Sequence, residues 1–413
     1  MTMKLKTTLF GLMAATFLST AVAGAEELKI WTINYTSEKQ VSALTAAEAE
    51  FEKLNPGVDV EIVMRGTDEH KTALRVASGS DTGPDIYAYW AGLGLGGEYV
   101  QAGMSADLSK YYESYGWGDR LTVPSLAFTE SFAEGRHGIP FRFSGEVVYY
   151  NKDLFAKAGI EGEPQSYDEL KAAAVKLKEA GIPAFTFGGT VNWHVMRLMD
   201  VILETTCGAE KHDALMAMES DWATEPCALA AFTEMKWWTD DHFLKPFMGI
   251  DNRQATTLWF ADRAAMMLEG DWHVPTIDEN SEMSKYGMFP FPTGTGRLYG
   301  FAEYMYISTK SDKADLAAKF LDMFTSDEFQ AAHIGAFGAL SVNRNVKQGD
   351  DALELHKEWL DVFANAKGTF VNGDQAFPLD VTTEYFRIIN ELASGNLEPQ
   401  AAADAMARFI ANR

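Results

Sequence analysis

The chain has 413 residues, 47% of them hydrophobic, with 59 acidic against 35 basic side chains and a formal net charge of −24. That length exceeds one ordinary core and calls for about two domains, and the apolar fraction is ample to fill them. So acidic a surface repels phosphate backbones, which excludes nucleic acid as a partner.

Lys4 and Lys6 precede an apolar stretch at 9–22, and Ala23-Gly24-Ala25 follows it. A positive start, an apolar middle and a small-residue end predict a signal peptide over residues 1–25. The stretch is shorter than the ~20 residues of a spanning helix. A buried N-terminal helix is the alternative. No cysteine follows the cleavage signal, so no lipid anchor is expected and the chain reads as a soluble periplasmic protein.

Strands and helices then alternate. Residues 28–33, 58–64 and 86–90 read as strands, and 39–54 and 70–78 as helices, the first ended by Asn55-Pro56-Gly57 and the second by Gly79. This βαβαβ order predicts a parallel sheet flanked by helices. Val147, Val148, Tyr149 and Tyr150 are β-formers without polar alternation, which predicts a strand covered on both faces. Asn151 offers an N-cap to the helix after it, and Ser166 with Glu169 fits a capping box for another. Further helices are expected at 166–180, about 193–205, about 225–242, 253–262 (capped by Asn252), 312–324 and 327–334, with a loop at 291–300 and a strand at 304–308. From Leu353 onward the chain reads as mostly helical.

Cys207 and Cys227 are the only cysteines. In an oxidising compartment they read most simply as a disulfide. A metal site is the weaker alternative, because no Cys or His stands at ligand spacing beside either. Gly92-Leu93-Gly94-Leu95-Gly96-Gly97 matches a dinucleotide fingerprint literally, yet it follows the third strand of an exported chain, where no nucleotide is expected. Tyr149-Tyr150 could suggest paired phenolate ligands for iron. Successive strand residues point to opposite faces, so packing is the better reading.

Six phrases occur in order: Phe51-Glu52-Lys53-Leu54-Asn55-Pro56-Gly57-Val58; Ala77-Ser78-Gly79-Ser80 with Gly83-Pro84-Asp85-Ile86; the stretch 138–154 leading into Ser166-Tyr167-Asp168-Glu169; Phe260-Ala261-Asp262-Arg263-Ala264-Ala265-Met266-Met267 with Glu269-Gly270-Asp271-Trp272; Phe289-Pro290-Phe291-Pro292; and Lys319-Phe320-Leu321 through Gln330. Together the sequence resembles the extracellular solute-binding proteins of ABC importers, the maltose-binding-protein-like carbohydrate-uptake family, over nearly its whole length after residue 25. The resemblance implies an α/β fold of the periplasmic binding protein type II kind, two α/β lobes joined by a hinge of three crossings near 140–144, 292–301 and 339–345. The lobes would comprise 26–140 with 300–341, and 141–299 with 342–413. It also implies capture of a sugar-like small molecule without catalysis or cofactor, as a monomer, for delivery to the membrane permease subunits of an importer. The segment 207–227 departs from the family pattern and could reshape one cleft wall.

A polyol ring needs aromatic surface for its C–H faces and hydrogen bonds for its hydroxyls. Trp90 ends the third strand, where ligands of a doubly wound sheet sit. Trp272 follows Gly270-Asp271, where relatives carry a cleft tryptophan, and Trp193 with His194 opens a helix after Gly188-Gly189-Thr190. For each, a packing role is the alternative. Loops after strands and the crossings add Tyr35, Glu38, Arg65, Asp68, Arg142, Ser144 and Glu303 as polar candidates, any of which could instead be solvated surface. An arginine there could also grip an acidic ligand bidentately. A secreted carbohydrate-active enzyme with a carboxylate pair, or a binding protein for a non-sugar solute, are the competing functions.

Overall fold

The computed structural model describes residues 25–413 except Thr36 and Asp81. The expected signal peptide therefore lies, but for Ala25, outside the described residues. Eight strands form one curled sheet in the order β2-β1-β3-β7-β4-β5, with β6 on β4 and β8 on β7. They are β1 Glu26–Ile33, β2 Val58–Arg65, β3 Ile86–Trp90, β4 Ile139–Asn151, β5 Met266–Gly270, β6 Tyr286–Phe289, β7 Leu298–Ile307 and β8 Thr369–Phe370. The βαβαβ start is as expected, with β2 and β3 both parallel to β1. In β1, Leu28, Ile30 and Thr32 are buried, as an every-second-residue face requires.

β4 is longer than the apolar pattern suggested, 13 residues, and it joins two bodies. Its first half, Ile139 to Gly145, pairs antiparallel with β7, and its second half, from Glu146, pairs with β5 and β6. The core changes at the same place. Ile139 and Phe141 pack with Leu28, Ile30, Ile86 and Phe324, whereas Val148 packs with Phe185, Leu198 and Trp238. β7 makes the same passage, since Tyr299 and Phe301 belong to the second core and Met305 and Ile307 to the first. Gly145 and Gly300 are register partners at this passage. A Cβ on Gly145 would lie 2.6 Å from Leu298 Cδ2 and 2.9 Å from the Trp359 ring, so the close approach needs glycine. Val342 and Arg344 bond through their backbones to Thr122 and Arg120 of the first body.

Local sequence explains most helix starts. Asn151 Oδ1 accepts from Asp153 N and Leu154 N, as expected. Ser166 Oγ accepts from Glu169 N, but Glu169 returns its carboxylate to Gln165 N instead of Ser166 N, so the capping box is only half formed. The Asn252–Phe260 helix is capped by Asp251 and not, as expected, by Asn252. The helix expected near 193–205 runs Asn192–Met216, interrupted at Gly208 with φ 68°. The Cys207–Cys227 disulfide is formed and ties this helix to the next, Pro226–Asp241. Among the described residues no helix is long and apolar enough to cross a membrane.

The glycine-rich run is a packing device. Cβ atoms on Gly92, Gly94 and Gly96 would lie 2.6 Å from Gln375 Cβ, 2.2 Å from Phe377 O and 2.2 Å from Tyr306 Oη. Gly92 and Gly94 let the first body close onto 374–377 of the second, and Gly96 makes room for Tyr306 within the first. The tyrosine pair is structural too: Trp359 Nε1 donates to Tyr149 Oη at 2.7 Å, and Tyr150 Oη donates to Glu163 at 3.2 Å. Among the described residues no cluster of His, Cys, Asp or Glu could hold a metal ion.

Candidate functional site

Between the two bodies lies a cavity that offers about 130 Å³ to the centres of water molecules. One water needs about 10–15 Å³ by that measure, so there is room for on the order of ten waters or one small ligand. From the first body come Tyr35, after β1; Thr67 and Lys71, at the start of the Thr67–Ser78 helix; and Trp90, the last residue of β3. From the second come Trp193 and Arg197, one turn apart on one helix, Trp272 after β5, and Asn372 and Asp374. Arg142, Glu146, Tyr299, Phe301 and Glu303 reach it from β4 and β7, where those strands pass between the bodies.

The charged groups are paired. Arg142 Nη1 lies 3.2 Å from Glu303 Oε1, and its Nε donates to Ser144 Oγ at 2.7 Å. Arg197 stands between two carboxylates, Nε 2.9 Å from Glu146 and Nη1 2.8 Å from Glu269. Lys71 Nζ lies 3.6 Å from Asp374. Both guanidinium groups lie near the Trp272 ring, 4.9 Å for Arg142 and 5.1 Å for Arg197, and Arg197 is 4.4 Å from the Trp193 ring centre. Behind the wall, Gly188 N–H donates to His194 Nδ1 at 2.8 Å. The other ring nitrogen must then carry the proton, and Nε2–H donates to Glu269 Oε1 at 2.8 Å. Burial lowers the His194 pKa in spite of Glu269, which agrees with a neutral ring.

Burial dominates the carboxylates. It pushes Glu146 up to about 8, against Arg197 and helped by Glu269, and it raises Glu303 against Arg142 and Asp374 against Lys71. Asp271, beside Trp272, is raised by burial to about 6. Glu269 goes the other way: burial alone would raise it, but Arg197 and the His194 N–H hold it well below the carboxylate range. The single charge of Arg197, with the His194 N–H, thus keeps Glu269 ionised and leaves Glu146 favouring its proton.

Of the residues read from sequence, Tyr35, Trp90, Arg142, Trp193, Trp272 and Glu303 line this one cavity. Ser144 and His194 lie behind it, each orienting a charged neighbour. The remaining three lie away from it. Glu38 is exposed on an adjoining groove and Asp68 on the outer mouth near Lys71. Arg65 lies 4.0 Å over Trp31, so its guanidinium is spent on packing. Neither cysteine is in the wall; the helix upstream of Cys207 is. Sequence reasoning missed Lys71, Glu146, Arg197, Asn372 and Asp374. Glu146 carried a signal, a lone acid at the head of a fully apolar strand, and so did Arg197, four residues after Trp193 on the same helix face. Nothing local marked Asn372 or Asp374.

The wall combines three tryptophans with charge pairs whose signs cancel. Five of its side chains also keep a buried polar atom that no protein group satisfies: Gln40 Nε2, Arg142 Nη2, Trp193 Nε1, Glu146 Oε2 and Asp374 Oδ1. An unmet buried donor or acceptor costs about 1–3 kcal/mol, so such a wall favours a guest that offers both.

A putative binding protein of Brucella abortus is 26% identical over 347 residues, which span 83% of this chain and 82% of that protein. A multiple sugar-binding protein of Streptococcus mutans is 22% identical over 362 residues, 82% of this chain and 84% of that one. The solved structure of a chitin oligosaccharide binding protein superposes with a TM-score of 0.85 at 22% identity, covering 94% of this chain and 98% of the other. That likeness shows the fold, the two-lobe type II fold of periplasmic binding proteins. The sequence signature of the bacterial extracellular solute-binding proteins matches residues 35–331, and the chain belongs to that family.

Proposed function

We propose that this protein captures a neutral carbohydrate, a mono- or oligosaccharide, glycoside or polyol, in the interlobe cavity by hinge closure in the periplasm, and delivers it to the membrane permease subunits of an ABC importer. The observation that carries this is the wall itself. Trp90, Trp193 and Trp272 supply apolar faces, and unmet donors and acceptors stand beside them. Hydroxyl groups donate and accept at once, so a polyol meets both needs, whereas an amino acid or a metal ion needs an uncompensated charge. Arg142 is already paired with Glu303 and Arg197 with Glu269, which speaks against an acidic guest. The sugar-binding relative supports the same class. Binding without turnover is the expected mode, with the lobes rotating about Gly145 and Gly300.

A thermal-shift screen over sugars, polyols, amino acids, organic acids and ferric iron tests the class. A sugar at a hundredfold over its dissociation constant should add about 2.7 kcal/mol of stability. A shift with amino acids or iron alone would overturn the carbohydrate reading.

A further inference from the structure

The first turn of the Glu38–Leu54 helix is closed twice. Ser37 caps it from within, its hydroxyl accepting from Lys39 N at 3.1 Å and Gln40 N at 3.4 Å, while Gln40 Oε1 accepts from Ser37 N at 3.3 Å. The second closure comes from the other lobe. Glu279, near the end of the His273–Asn280 helix, receives the Ser37 hydroxyl at 2.8 Å and Lys39 N–H at 3.2 Å on Oε1, and Glu38 N–H at 3.2 Å on Oε2. One carboxylate thus takes three hydrogen bonds from a helix start 242 residues away from it in sequence. First-turn N–H groups lack partners within their helix, and the helix end carries partial positive charge, so a carboxylate is well matched to it. Across the cavity, Gln375 Nε2 donates to Ala91 O and Lys71 faces Asp374, but Lys71 and Asp374 are themselves cavity wall. Glu279 is exposed and stands clear of the cavity, on the helix that begins directly after Trp272.

We propose that Glu279 is a latch: a positioning residue that docks on the start of the Glu38–Leu54 helix only when the lobes are closed. It thereby sets affinity without touching the guest. The inference rests on the capture reading above. A contact made in one state alone shifts the equilibrium by its own free energy, and the affinity of whatever binds that state follows by the same factor.

The test needs no ligand. The chain has no free cysteine among the described residues, so Lys53→Cys and Lys157→Cys, both exposed and one on each lobe, take a dye pair cleanly. Single-molecule energy transfer in ligand-free protein should show Glu279→Ala lowering the closed-to-open ratio about two- to tenfold at low salt. Glu279→Gln, which keeps an acceptor but loses the charge, should fall between. One molar salt should open the parent protein and leave Glu279→Ala unmoved, because the latch is exposed and screened. A parent-like distance distribution in Glu279→Ala, with or without a lower melting temperature, would overturn the latch. Failure of every sugar in the thermal-shift screen would sink the carbohydrate reading and leave this measurement standing.

Discussion

Arg142 and Glu303 are register partners across the β4–β7 ladder, their side chains 3.2 Å apart and both almost fully buried, where the two strands leave one lobe for the other. A buried pair is costly to break from one side, because the remaining charge has no solvent to return to. Arg142→Met should therefore lower stability by about 3–5 kcal/mol in urea denaturation. Arg142→Met with Glu303→Met should recover most of that, since neither charge remains. Equal losses in the single and double variants would mean the pair contributes little to the hinge.

Trp90 is only half-buried and its ring lies under Lys71 Nζ at 5.1 Å. Trp90→Ala should weaken sugar binding by about 2–3 kcal/mol, at about 25 cal/mol per Å² of apolar surface no longer covered, and leave the ligand-free melting temperature within a few degrees. Calorimetric titration beside thermal melting separates the two. Lost stability with retained affinity would make Trp90 a packing residue.

Glu146 and Asp271 give the fold a pH slope. Both carboxyls titrate higher in the folded chain than in the unfolded one, at about 8 and about 6. The folded state therefore binds more protons between the unfolded and folded values. Their contribution is fully present below about pH 4, where an unfolded carboxyl still holds its proton. It is lost as pH rises, through about 6 for Asp271 and about 8 for Glu146. Melting temperature should thus fall between pH 5.5 and 8.5, and Glu146→Gln should flatten the upper part of that fall. A parent slope that persists in Glu146→Gln would assign the proton elsewhere in the Arg197 cluster.

The Cys207–Cys227 bridge closes a loop with a sequence separation of 20 and contributes no atom to the cavity wall. Replacing both cysteines by serine should cost about 3 kcal/mol of stability on the chain-entropy view. Sugar affinity measured well below the melting temperature should not change. A large affinity loss would show that the bridge controls the start of the Asn192–Met216 helix, where Trp193 and Arg197 sit.

Much of the fold was legible because its determinants are local. Alternation in β1, the Asn55-Pro56-Gly57 stop and the Asn151 cap each act within a few residues, so reading the chain in order finds them. Trp90 and Trp193 were legible as candidates because one ends a strand and the other opens a helix, and Trp272 because the resemblance implies a cleft tryptophan there. What needed the tertiary structure was pairing. Arg65 and Arg142 look alike in sequence, yet one lies over Trp31 and the other meets Glu303 beside the cavity. Asp374 has no local signature and becomes part of the wall only because 374–377 packs onto the glycines after β3. The charge balance of the site, and with it the preference for a neutral guest, depends on distances of about 3 Å between residues far apart in the chain. Coulomb and hydrogen-bond energies fall steeply with distance and with solvent access, so only folding decides which of the many acids and bases count.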